Sequence, residues 1–196
     1  MSSPEPHEIG VVVLAGGRST RMGADKARVR VGGRRLVDKL LDALPAPHPV
    51  IVVSPEDLGV PTVSEDPPYG GPVAGIAAGA RALDTPFLAV VAVDAPHSPG
   101  LLPALSAALG THDCAAIVSA DGSVQPLCAL WRRSSLLVAL ESVSARNAPA
   151  MKLLRAAVSV ALVDGDGRER DFDTPDDLSE LGEVDFGDVD LADSAP

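Results

Sequence analysis

"VVVLAGGRSTRMGADK" (Val11–Lys26) is the stretch that decides how the rest of this chain is read. The aliphatic run Ile9–Leu14 is short, continuous and β-branched, which marks a central strand covered on both faces. The loop behind it carries three glycines, two arginines and a lysine. A buried strand that delivers such a loop to its end presents backbone N–H groups and cations to an anion such as phosphate. Gly16 and Gly17 permit close backbone approach, and Arg18, Arg21 and Lys26 add positive charge around it. The alternative is an ordinary surface loop with solvated cations. Neither GxGxxG nor GxxxxGK[ST] is present, so the two commonest phosphate-loop fingerprints do not apply.

The rest of the chain sharpens this contrast. Its 196 residues carry a formal charge of -11, yet eight of the 16 Lys and Arg fall between Arg18 and Lys39. Thirteen of the 27 Asp and Glu fall from Asp164 onward. A local basic loop in an acidic protein points to a small anionic ligand and away from nucleic acid, which needs a broad basic face. No run of 18 apolar residues is present, and "MSSPEPHE" lacks the regions of a secretion signal, so a cytoplasmic protein with no membrane partner is expected. Cys114 and Cys128 lie in apolar segments without metal-site spacing and read as buried thiols. The four histidines are scattered and form no ligand cluster.

Strand-like and helix-like segments alternate. Strands are expected at Ile9–Leu14, Val50–Ser54, Phe87–Val93, Ala115–Ser119, Leu127–Trp131 and Val158–Val163. Helices are expected at Arg35–Leu44, Pro72–Leu83, Leu101–Leu109, Ser134–Val143, Pro149–Ala156 and Pro175–Leu181. Such alternation predicts an α/β three-layer sandwich with a mainly parallel, Rossmann-like sheet, whose ligand lies beyond the carboxyl ends of the strands. One domain is expected over residues 1–181, with an acidic, disordered tail over 182–196.

Three further stretches follow strands or loops and carry candidate chemistry. In "SEDPPYGGPVAGI" (Ser64–Ile76), Pro72 suits the first position of a helix, and Asp66 could accept hydrogen bonds from the N1 and N2 donors of guanine or simply serve the turn. In "FLAVVAVDAP" (Phe87–Pro96), Asp94 emerges from a buried strand. A charge there needs a partner, for which a hard divalent cation is suited; the competing reading is a helix cap. In "RDFDTPDDL" (Arg170–Leu178), Thr174 and Pro175 form a capping signal that leaves Asp171 and Asp173 free to face a cation. No Ser–His–Asp or Cys–His pattern supplies a protein nucleophile. Cations, glycine amides and isolated carboxylates suit phosphate transfer between two ligands, where positioning and charge neutralisation supply most of the catalysis.

The order "LAGGRSTRMGADK", "DPPYGGPVAGI", "VDAP", "DGSVQPLCALW", "SARNAPAMKLL" and "DFDTPDDL" resembles the molybdenum cofactor guanylyltransferases of the MobA-like nucleotidyltransferase group. The likeness runs from about Ile9 to Leu181 and implies the fold of the nucleotide-diphospho-sugar transferases. It also implies magnesium-dependent transfer of GMP from GTP to the terminal phosphate of molybdopterin carrying molybdenum, with release of pyrophosphate. By motif, Leu14, Ala15, Gly16 and Gly17 would hold the nucleotide, while Arg21 and Lys26 would hold its phosphates and serve catalysis. Ser54 stands where the family often has an asparagine near the nucleotide, and Asp66 would read guanine. Asp94 and Asp173 would bind Mg2+, the latter an aspartate where relatives often carry asparagine. Arg146 would face the pterin phosphate. Transient contact with molybdenum-insertion or apo-molybdoenzyme proteins belongs to the same expectation. "GGPVAGI" and Gly17 favour guanylyl over cytidylyl transfer, and "AVDAPH" departs from the commoner DMP or DTP. The rivals are a different base, a sugar-phosphate or phospholactate acceptor, and a nucleotide-binding module without turnover.

Overall fold

The aliphatic run at the start becomes an inner strand of a seven-stranded sheet in the computed structural model, which describes residues 3–16 and 26–186. In chain order the elements are β1 (Ile9–Leu14), β2 (Arg30–Val31), β3 (Arg34–Arg35), α1 (Leu36–Asp42), β4 (Val50–Val53), β5 (Thr62–Val63), α2 (Pro72–Ala82) and β6 (Phe87–Ala92). Then come α3 (Leu102–Leu109), β7 (Cys114–Val118), β8 (Val124–Arg132), α4 (Arg133–Ser142), α5 (Met151–Ala156), β9 (Val160–Asp164), α6 (Pro175–Ser179) and β10 (Val184–Asp185). The sheet order is β5-β4-β1-β6-β8-β7-β9. β1 pairs in parallel with both β4 and β6, so its N–H and C=O groups are satisfied on each side and its side chains are buried on each face.

The strict two-residue period of a strand splits the core into two layers. Val11, Val13, Val52, Val91 and Leu130 point toward α1, α3 and α6; Val12, Val53, Val90, Ala129 and Trp131 point toward α2, α4 and α5. Small residues let α2 press against the sheet. A Cβ on Gly79 would stand 2.3 Å from Val12 Cγ1, so only glycine admits the observed approach.

The expected sandwich is therefore present, with β8 as the one strand of the large sheet that runs against its neighbours. Its direction follows from the tight turn after β7, where Gly122 adopts φ +83 and Asp121 accepts a hydrogen bond from the Ser123 N–H at 2.8 Å. A five-residue link cannot make a parallel crossover, so the chain returns as a hairpin.

A second, three-stranded antiparallel sheet has the order β10-β2-β3. β10 pairs with β2, and Phe186 packs against the core, so the chain continues in the fold beyond Leu181, where the sequence suggests that the domain ends. Residues 187–196, the remainder of the acidic tail, lie outside the described residues. Among the described residues no helix is long and apolar enough to cross a membrane. Cys114 and Cys128 are free and buried, as expected from their setting.

Candidate active site

β1, β4 and β6 end side by side, and a cleft of about 270 Å³ opens beyond their carboxyl ends. One wall is the end of the first strand, where Leu14, Ala15 and Gly16 follow each other into the cleft. The Ala15 N–H donates to Val53 O at 2.9 Å and the Val93 N–H donates to Leu14 O at 3.0 Å, so the sheet ladder holds this backbone up to the cleft's edge. Gly16 lies close to the second strand's exit: a Cβ there would meet Pro55 Cδ at 3.3 Å. The facing wall is the start of α2, with Gly71, Pro72 and Gly75. Gly71 adopts φ +91 and passes so near Asn147 that a Cβ would stand 3.3 Å from its Cα, a position that requires glycine.

Charge enters the cleft from three directions. Lys26 follows the first loop, and its place is fixed by what comes after it. Ala27, Val29 and Val31 are fully or almost fully buried, and the Leu36 N–H donates to Val29 O at 2.9 Å. Asp94 stands two residues beyond β6. Asp173 comes from the far end of the sequence, on a segment anchored when the Phe172 N–H donates to Asp94 O at 2.8 Å and the Phe172 ring is buried. Lys26 Nζ donates to Asp173 Oδ1 and lies 3.6 Å from Asp94 Oδ2. The lysine side chain is only 13% exposed, against 30% for Asp94 and 54% for Asp173.

The capping reading of Asp94 is not what the structure holds, since its carboxylate turns to Lys26 and the 3-10 turn Ser98–Leu101 has no side-chain cap. Burial pushes the Asp94 carboxyl above its ordinary value, against the pull of Lys26, and the nearby Asp173 raises it further. Asp171 joins the same field: burial first, then Asp94 and Asp173, push it up to about 6. The capping box read at Thr174 is present, with the Asp177 N–H donating to Thr174 Oγ1 at 3.1 Å.

The donor set fits a hard divalent cation of a particular kind. No group of three His, Cys, Asp or Glu converges as a ready-made cage among the described residues. Asp94 and Asp173 nevertheless already share one cation, the Lys26 ammonium. Mg2+ is commonly held by one or two carboxylates, with substrate phosphates and water completing its octahedron, so two convergent oxygens in a phosphate-sized cleft suit it.

The other expected residues divide. Ser54 is 2% exposed, and its hydroxyl accepts from the Glu56 N–H at 3.1 Å, so it is occupied in shaping the turn after β4. Asp66 is exposed, while its neighbour Glu65 lines the cleft and accepts from the Gly70 N–H at 3.2 Å. Arg146 is exposed on a loop pinned to the α2 entrance, where the Asn147 N–H donates to Gly70 O at 2.6 Å, so it belongs to the rim. Gly17 and Arg21 lie outside the described residues. Glu65 and Leu127 are cleft residues that the motif reading passed over. The signal for Glu65 was its position in the same loop as Asp66.

A family model described as MobA-like NTP transferase domain matches residues 11–161, from the first strand to the last strand of the large sheet. The chain belongs to the MobA-like NTP transferase family. A molybdenum cofactor guanylyltransferase of Sinorhizobium fredii is 37% identical over 134 residues, covering 61% of this chain and 62% of that protein's length. A probable molybdenum cofactor guanylyltransferase of Natronomonas pharaonis is 34% identical over 194 residues, covering 88% and 96%. Among solved structures, molybdopterin-guanine dinucleotide biosynthesis protein A from Archaeoglobus fulgidus superposes with a TM-score of 0.70 at 22% identity, over 88% of this chain and 96% of that one. That last likeness supports the fold, and the cleft of this MobA-like chain lies where such sheets bind ligands.

Proposed function

We propose that this MobA-like transferase moves GMP from GTP onto the terminal phosphate of molybdenum-bearing molybdopterin, in the cytoplasm, and releases pyrophosphate. The observation that carries the reading is the junction of Leu14–Gly16, Lys26, Asp94 and Asp173 at the carboxyl ends of β1 and β6, in a chain with relatives named for this activity. Short-lived contact with the proteins that insert molybdenum or receive the finished cofactor belongs to the same proposal.

The base enters the cleft between the end of β1 and the start of α2, beside Leu14, Gly71 and Pro72. Asp66, at the mouth, accepts from guanine N1–H and N2–H, and Glu65 holds the loop that carries it through the Gly70 N–H. The Gly16 N–H and the Lys26 ammonium face the phosphates. Asp94 and Asp173 would hold Mg2+, which lowers the charge on the α-phosphate and on the departing pyrophosphate. An acceptor phosphate oxygen then forms a bond to the α-phosphorus as the α–β bridging P–O bond breaks, and the electron pair leaves with pyrophosphate. No side chain is needed as nucleophile. Arg146, on the rim beside α2, takes the acceptor's phosphate.

Label at the α-phosphate of GTP is expected in the molybdopterin product, and label at the γ-phosphate in pyrophosphate. Recovery of the γ label as inorganic phosphate would make the protein a GTPase and overturn the assignment.

A further inference from the structure

We infer that Lys26 is the internal counter-ion of the site and couples its two ligands: it keeps a divalent cation off Asp94 and Asp173 until a polyphosphate draws the ammonium away. The inference rests on the cation placement proposed above and adds an order of filling to it. A cation shared by the two carboxylates lies about 2.1 Å from an oxygen of each. The Lys26 ammonium touches one of those carboxylates and is 3.6 Å from the other, so it stands in the approach a metal ion must take. Its side chain is 13% exposed, which leaves bulk water and counter-ions little room to screen the repulsion.

The lysine can leave without moving the backbone. Ala27 is fully buried and holds the main chain, but four rotatable carbons separate that anchor from the ammonium. Lys26 also lines the same cleft as Leu14, Ala15 and Gly16, where phosphates would bind, so the ammonium can exchange a carboxylate for a phosphate by rotation alone. The free site is thus self-neutralised. Polyphosphate binding exposes the two carboxylates at the moment when their cation is needed, and cation and polyphosphate favour each other's binding by the same factor. A cation that arrives alone gains little.

The test uses the full chain and Mn2+ alone as the probe, with free Mn2+ followed by its electron paramagnetic resonance signal. Wild-type protein is expected to bind Mn2+ weakly on its own and, once GTP is added, to lower free Mn2+ below the level that the same GTP sets without protein. Lys26→Gln should bind Mn2+ without nucleotide at least about tenfold more tightly than wild type, within the range of ordinary site–site couplings. Adding Asp94→Asn to that variant should return the affinity to the wild-type level. Lys26→Arg, which keeps the charge, should stay weak. Lys26→Met, which keeps the apolar stem, replaces the glutamine variant if thermal unfolding shows that variant to be disrupted. Equal Mn2+ affinity in wild type and the neutral variant, or tightening that survives Asp94→Asn, overturns the inference whatever the turnover. Loss of guanylyl transfer with this coupling intact overturns the functional reading alone.

Discussion

Gly79→Ala is the sharpest perturbation of the packing that places the cleft. In α2 the exchange of an interior glycine for alanine favours the helix by about 1 kcal/mol. Against this, the new methyl would stand 2.3 Å from Val12 Cγ1 and 3.0 Å from Cγ2. Carbon atoms rest at about 3.5–4.0 Å, so helix and strand must part by more than 1 Å. Neither can do so cheaply. Val12 is fully buried, its branched side chain has few rotamers, and β1 is locked between β4 and β6. Overpacking of this kind costs about 1–3 kcal/mol, and the severity of the contact argues for the top of that range. The net effect is a loss of about 2 kcal/mol, or a Tm lower by about 4–8 °C for a chain of this size.

Gly75→Ala is the matched control one turn earlier. Its methyl would meet Leu14 Cδ2 at 3.1 Å, the end of a side chain that can rotate, and Val53 Cγ1 at 3.5 Å. The helix gain should therefore offset the contact, leaving stability within about 1 kcal/mol of wild type. Thermal and urea unfolding of both variants decide the matter. A Gly79→Ala protein as stable as wild type would refute the close approach of α2 to β1.

Lys26→Ala should lose at least about 2 kcal/mol of transition-state stabilisation, read as a fall in kcat/KM of thirtyfold or so; wild-type kinetics would make Lys26 a spectator. Asp94→Ala should abolish metal-dependent transfer while its unfolding curve stays close to wild type, and unchanged turnover would remove the carboxylate from the metal site. Asp66→Asn should raise KM for GTP in steady-state kinetics, and an unchanged KM would take Asp66 out of guanine recognition. Asp113 accepts from Ser135 Oγ at 2.7 Å and from the Val158 and Ser159 N–H groups at 2.9 and 3.2 Å, which holds its carboxyl below the ordinary range. A lowered folded-state value stabilises the protein above the unfolded value of about 3.9 and is lost as pH falls through the folded one. Asp113→Ala should therefore cost about 2 kcal/mol at pH 7 and narrow the gap to wild type below pH 4, as followed by urea unfolding.

How far the sequence alone reaches can be judged element by element. β1, β4 and β6 are buried on both faces, so continuous aliphatic runs marked them with boundaries good to a residue or so. The direction of β8 depended on a hairpin turn, and composition does not state direction. β2, β3, β5 and β10 are two residues each, too short for any period to show. In the site, Asp94 was legible because a carboxylate at the end of an apolar run needs an explanation. The meeting of Lys26 with Asp173 was not, since 147 residues separate them and only the return of the chain past β6 brings them together. Glu65 was hidden beside Asp66: what holds it in the cleft lining is a hydrogen bond from the Gly70 N–H, five residues on, which adjacency in sequence does not reveal.

Pyrophosphate release from GTP and from CTP, each with Mg2+ and with or without molybdopterin carrying molybdenum, tests the central claim most directly. Release from GTP alone, and only when the acceptor is present, is the expected result. Release from CTP at an equal rate, or from GTP without any acceptor, would contradict guanylyl transfer to molybdopterin as the reaction of this cleft.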